Sequence, residues 1–183
     1  MQHTSRPSSS IPPNEARDAL VGALEKLMQA MAHEHQELLK LLECKRDAVR
    51  KAEMKSIGDI TEQERRIVRR IEEMDRHRRE LLRRIAAAIG APADEPLRVS
   101  HIAECVPEPM RQELNEAAQH LRERVHAVRE VSSIVRAAAE ALASHMSGIM
   151  QQVNWALSRA GVYGSSGRVA MGTQMDFCVD LKT

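Results

Sequence analysis

Aromatic side chains are nearly missing from this 183-residue chain: Trp155, Tyr163 and Phe177 make up 2% of it, and all three fall near its C-terminal end. The core of the remainder must therefore be built from Leu, Ile, Val, Ala and Met, which suits long packed helices better than a compact mixed fold. Cysteine is scarce as well. Cys44, Cys105 and Cys178 are odd in number, widely spaced and form no CxxC pair, which argues against a disulfide framework and for a reduced compartment. No window approaches twenty uncharged apolar residues, so no membrane span is expected. The opening MQHTSRPSSSIPP has no apolar stretch of the signal-peptide kind, and a cytoplasmic location is expected. A net charge of +1 gives no overall argument for binding nucleic acid or a membrane surface.

Helical periodicity fills most of what is left. Charged residues make up 29% of the chain, with Ala, Leu, Glu and Arg abundant. Residues 1–13 are Ser- and Pro-rich and are expected to be disordered. Asn14 is placed to cap a helix whose stripe runs through Leu20, Leu24, Leu27, Met31, Leu38, Leu42 and Val49, with His35 where the pattern predicts an apolar side chain. A second stripe runs through Ile57, Ile60, Ile67, Ile71, Met74, Leu81 or Leu82, Ile85 and Ile89. Unbroken, the two would form a rod of about 110 Å, so the chain is expected to reverse between residues 51 and 60. Two sites compete for the turn. One is Gly58-Asp59 before the capping-box signature Thr61-x-x-Glu64, and the other is the Ala52-Glu53 junction. Gly90 and Pro92 end the second helix, Ser100 can cap a short one, and Pro109 suits the first turn of a long one.

That long helix dominates the chain. Its apolar positions run from Met110 through Leu114, Ala118, Leu121, Val125, Val128, Val135, Leu142, Met146, Ile149, Val153 and Leu157 with no proline between them. Its first half is dense in Glu and Arg. From Ile134 to Leu157 the only charged residues are Arg136 and Glu140, with His145 titratable, and apolar residues lie nearly all round. Such a helix needs cover on more than one side. The expected fold is all-α: an antiparallel helical hairpin with a third long helix alongside, a three-helix coiled-coil-like bundle. Helices are expected at about 14–52, 54–90, 100–106 and 108–160 within a helical domain 14–160, with 161–183 as a flexible tail.

Catalytic chemistry finds no foothold. There is no P-loop, dinucleotide-binding turn, GxSxG or Cys–His signature, and no enzyme activity or cofactor is expected. A helical-bundle metal site needs two Glu-x-x-His motifs, and Glu123-x-x-His126 is the single match, crowded by Arg122, Arg124 and Arg129. His33 and His35 stand on different helix faces, and His101 with Cys105 supplies half of a zinc ligand set. No metal site is expected. Residues 62–84 carry nine arginines and His77 against six acids. The acids interleave at helix-pair spacing and no aromatics accompany them, which reads as a solvated, ion-paired face, not a nucleic-acid surface.

After residue 160, GVYGSSGRVAMGTQMDFCVDLKT places four glycines in its first twelve residues and loses helical periodicity. Val162-Tyr163-Gly164-Ser165-Ser166-Gly167-Arg168 resembles the Tyr-Gly-x-x-Gly tail of the FlgN-type flagellar export chaperones, and Arg76-His77-Arg78-Arg79-Glu80-Leu81-Leu82, with one residue more before its leucine pair, resembles that family's Arg-x-x-x-Leu-Leu segment. The helix order matches over nearly the whole chain. Where the family often carries an Asn-rich stretch, this chain has Ala137-Ala138-Ala139 and Met146 to Met150. The resemblance implies a cytoplasmic, non-enzymatic chaperone. Its clients would be the amphipathic C-terminal segments of hook-associated (hook–filament junction) proteins, delivered to the flagellar type III export gate. It implies that the end of the long helix and the tail hold the client and that Tyr163, with Gly164 and Gly167, contacts the gate. Read from the residues, the client face comprises Val135, Leu142, Met146, Ile149, Met150, Val153 and Leu157. The alternative use of the same stripe is self-association, as a structural coiled coil or homodimer with no client.

Overall fold

The computed structural model describes residues 13–92 and 97–162. Within them the chain forms α1 (Pro13–Arg50), α2 (Met54–Ile89), α3 (Val99–Glu104) and α4 (Met110–Val162). No strand occurs among the described residues. The fold is the expected all-α bundle. The N-terminal residues 1–12 and the tail 163–183, with Tyr163, Gly164 and Gly167, lie outside the described residues.

The hairpin turn falls at Ala52-Glu53, not before Thr61. Ala52 takes a left-handed conformation, with φ of 53°. Its N–H donates to the Val49 carbonyl at 3.1 Å, and the Glu53 N–H donates to the Ala48 carbonyl at 3.0 Å. These are the paired bonds of a Schellman cap, formed here without the glycine that usually occupies its left-handed position. Thr61, the rejected cap, sits inside α2 and donates its hydroxyl to the Ile57 carbonyl at 2.7 Å. Glu64 reaches across to α1, where its Oε2 pairs with Lys45 Nζ at 2.6 Å. A break at residue 60 would remove Ile57 and Ile60, both half-buried, from the hairpin. The packing of the extra helical turns outweighs the local capping signal.

Two other expected caps are absorbed into their helices. α1 already begins at Pro13, so Asn14 lies in its first turn. Proline suits that first position because its missing N–H needs no partner there. α3 begins at Val99 with Arg98 as its extended N-cap residue, which leaves Ser100 inside. Gly90 ends α2 as expected, at φ of 69°, and the Ala91 N–H closes the cap on the Ala86 carbonyl at 3.0 Å.

The chain divides into two compact units, Met1–Ala138 and Ala139–Thr183. The first holds the core. Val21, Leu24 and Met28 of α1 meet Leu81 and Ile85 of α2, Ile102 and Ala103 of α3, and Leu114, Ala117 and Ala118 of α4. A second cluster joins Leu38 and Leu42 to Ile67, with Ile71, Val128 and Val131 packed against it. Arg111 ties the short α3 to the start of α4 by donating Nε to the Ala103 carbonyl at 2.9 Å, satisfying a carbonyl near the C-terminus of α3. His35, at the stripe position predicted to be apolar, is buried and donates Nδ1–H to the Met31 carbonyl at 2.7 Å.

Ion pairs lace the arginine-rich face of α2. Arg65 and Arg66 lie 3.7 and 3.5 Å from Glu62, Arg83 pairs with Glu80, and Arg70 crosses to Glu34 of α1 at 2.8 Å. Asp75 accepts from Arg78 at 2.7 Å and from Arg79 at 3.1 Å. Partial burial pushes the Asp75 carboxyl up, but the hydrogen bonds and charges of Arg78 and Arg79 outweigh it and hold the group below its ordinary value. Among the described residues, no three His, Cys, Asp or Glu side chains converge on a point that a metal ion could occupy.

Candidate binding face on the long helix

One apolar stripe runs along α4 from Leu114 to Leu157. Leu114, Ala117, Leu121, Val128, Val131, Val135, Leu142, Met146, Ile149, Val153 and Leu157 recur at intervals of three, four or seven residues, which keeps them on one face of a 3.6-residue helix. What changes along the stripe is its cover. Leu114, Ala117 and Val135 are buried, and Val128 and Val131 pack against the hairpin cluster. Leu142 is half-buried. Beyond it the same face lies open: Met146 is 43% exposed, Met150 51% and Leu157 64%, with Ile149 and Val153 also exposed.

The predicted client-face residues therefore split. Met146, Ile149, Met150, Val153 and Leu157 form one exposed strip within the second unit, with Leu142 at its inner end. Val135 does not belong to it. It is 4% exposed and falls in the first unit, so its side chain serves the bundle core. Periodicity gives Val135 and Val153 the same helix face and cannot separate them. The structure also exposes Ile134 and Trp155, which the face read from periodicity left out. Trp155 stands nine residues from Met146, about halfway round the helix, so the distal segment presents apolar surface on two sides. The apolar-all-round composition already contained that signal.

The electrostatics of the strip are simple. Residues 141–158 contain no Asp, Glu, Lys or Arg, and the polar positions are Ser, Asn, Gln and His145. Ser158 turns its hydroxyl back onto the Asn154 carbonyl at 2.8 Å, so it offers little to a partner. A surface without acidic, lysine or arginine side chains that carries Met146 and Met150 selects by shape and apolar area and adapts to related ligands. Contiguous exposed apolar surface is a common feature of protein–protein contact regions. No described helix is long and apolar enough to cross a membrane.

The model of the FlgN protein family matches residues 17–170, which spans α1 to α4 and the Tyr163-Gly164-Ser165-Ser166-Gly167 motif beyond them. The chain belongs to the FlgN family. No curated protein and no solved structure gives a significant match. FlgN proteins are flagellar export chaperones that bind hook-associated proteins, a family not known for enzymes. Family membership assigns the chaperone role.

Proposed function

We propose that this FlgN chain works in the cytoplasm by holding the amphipathic C-terminal segments of hook–filament junction proteins on the exposed strip of α4 and bringing them to the flagellar type III export gate. The observation that carries the reading is the change of cover along one helix face. In the first unit, helices of the hairpin lie on the stripe. In the second, Met146, Ile149, Met150, Val153 and Leu157 offer the same apolar pattern with the cover missing. An amphipathic client helix supplies what the hairpin supplies elsewhere, with anchors at i, i+3, i+4 and i+7. Burying that face shields both partners from aggregation, and the ordering cost of the client keeps the complex dissociable. Tyr163, Gly164 and Gly167 follow directly on α4 and are proposed as the gate-contacting motif.

Co-expression with C-terminal segments of hook–filament junction proteins, followed by gel filtration, tests the client assignment. Met146→Glu with Met150→Glu removes two apolar anchors worth about 1.5–3 kcal/mol each, so co-elution should be lost while helicity stays at the wild-type level. Undiminished co-elution, or a collapse of helicity, would sink the assignment. Tyr163→Ala should leave client binding intact and lower export, and an export level equal to wild type would remove the tail motif from the gate.

A further inference from the structure

Within the first unit, α4 is fastened at one end only. Arg111 donates to the Ala103 and Val106 carbonyls at 2.9 and 3.4 Å, and Leu114, Ala117 and Ala118 are buried in the first core cluster. From Gln119 to Ala138 the hold is slight. Val135 is the one buried residue of that stretch, while Leu121, Val125, Val128 and Val131 are half-buried. Among the described residues, no hydrogen bond or ion pair joins positions 112–138 to α1 or α2; Gln119, Arg122, Arg124 and His126 take their partners from within the helix. Arg124 stands on the stripe itself, three residues after Leu121 and four before Val128, so the apolar contact is interrupted between the two core clusters. Its guanidinium donates back to His120 at 3.4 Å.

The hairpin is held differently. Arg70 crosses to Glu34 at 2.8 Å, and the largely buried Lys45–Glu64 pair closes at 2.6 Å. Parting α1 from α2 would strand those charges as well as expose apolar surface. Parting α4 from the hairpin beyond Ala118 exposes apolar surface alone. Segments held by few buried contacts open separately from the rest of a fold. We infer that α4 pivots about its anchored start and lifts from the hairpin over residues 119–138, and that the two walls it uncovers, Val128, Val131 and Val135 facing Leu38, Leu42 and Ile67, form a second binding surface for an amphipathic helix. A tilt of about 20° at Ala118 carries Val135, about 26 Å along the helix, outward by roughly 9 Å, which adds one helix–helix spacing to the gap. The walls suit a helix because their apolar residues recur at three and four on α4 and at four on α1. The α4 wall also runs on into the exposed strip, so one client helix can follow a single stripe from Val128 outward. The occupant rests on the client reading above; the lift does not.

Thiol labelling of the full chain tests both parts. With Cys44, Cys105 and Cys178 replaced by Ser, one new thiol is placed by Val135→Cys or by Ala118→Cys, each at a buried site. Without denaturant, the thiol at 135 should react with Ellman's reagent on the order of a hundredfold faster than the thiol at 118. Its rate should change little in low urea, because a lift exposes little surface, whereas labelling at 118 should climb steeply as the whole unit unfolds. Each rate is read against the same variant's urea unfolding curve, so a plain loss of stability does not pass for a lift. Equal protection at the two sites, or an equal urea dependence, overturns the inference. C-terminal segments of hook–filament junction proteins then test the occupant, with Met150→Cys as the probe of the exposed strip. Slower labelling at both 135 and 150 supports the second surface. Protection at 150 alone keeps the client on the strip and overturns the second surface. Protection at neither site removes the client assignment, and fast labelling at 135 then leaves the lift standing without it.

Discussion

The two ends of α4 share one helix, one periodicity and one apolar stripe, yet they have opposite relations to water. At the proximal end Leu114 is fully buried among residues of α1, α2 and α3. At the distal end Leu157, on the same face, is 64% exposed. The difference lies in what is available to cover the stripe. α1 and α2 contain 38 and 36 residues, α4 contains 53, and a helix gains length at a constant rise per residue. In the second unit the same face is left exposed. In the proximal half the stripe supports folding; in the distal half it remains available for binding.

Truncating the two ends should break the symmetry of the stripe most sharply. Leu114→Ala empties a fully enclosed site and is expected to cost about 2–5 kcal/mol of stability, whereas Met146→Ala at the open end should stay within about 0.5 kcal/mol. Urea unfolding followed by circular dichroism measures both, and equal losses would mean that the distal strip is part of the folded core. The Lys45–Glu64 bridge comes next. Both side chains are largely buried, and Glu64 Oε1 has no partner, so Lys45→Ala strands a carboxylate and should cost about 1–3 kcal/mol. Glu64→Gln, made on the Lys45→Ala background, should recover part of that loss.

Smaller effects sharpen the contrast from the hairpin side. Ala52 sits at positive φ, where an L side chain is strained, so Ala52→Gly should raise stability by about 0.5–1 kcal/mol after its own entropic cost. A fall in the unfolding midpoint would show that the turn is not held in that conformation. The smallest expected effect is acid sensitivity. The folded-state pKa of Asp75 lies below its unfolded value, so its contribution is present above about pH 4 and is lost as pH falls through the folded value. Urea midpoints measured from pH 6 to pH 3 should decline less steeply for Asp75→Asn than for wild type. The strip at residues 141–158 has no acid to titrate and should contribute nothing to that decline.

Much of this was readable in the residues, and the failures were local. The break between α1 and α2 had two candidate signals. One of them, Thr61-x-x-Glu64, gave way to Ala52-Glu53, where Glu64 pairs with Lys45 and the turns around Ile57 and Ile60 gain packing. Asn14 and Ser100 were plausible caps by residue type and were passed by when the helices started one residue earlier. Side-chain caps are worth about 1 kcal/mol, which a little more buried surface can override. Val135 was misplaced for a different reason: hydrophobic period reports which face is apolar and says nothing of what lies across from it.

The sequence by itself determined the helical class, the direction of every apolar stripe and, through the Tyr163-Gly164-x-x-Gly167 motif, the family. These follow from spacing along the chain, which is a local property. Tertiary structure alone decided where the hairpin turns, that His35 is satisfied inside the bundle by the Met31 carbonyl, and that the open strip begins after Val135. Those outcomes depend on which elements meet across the core. One residue type on one helix face can be enclosed or exposed according to whether another helix lies across it.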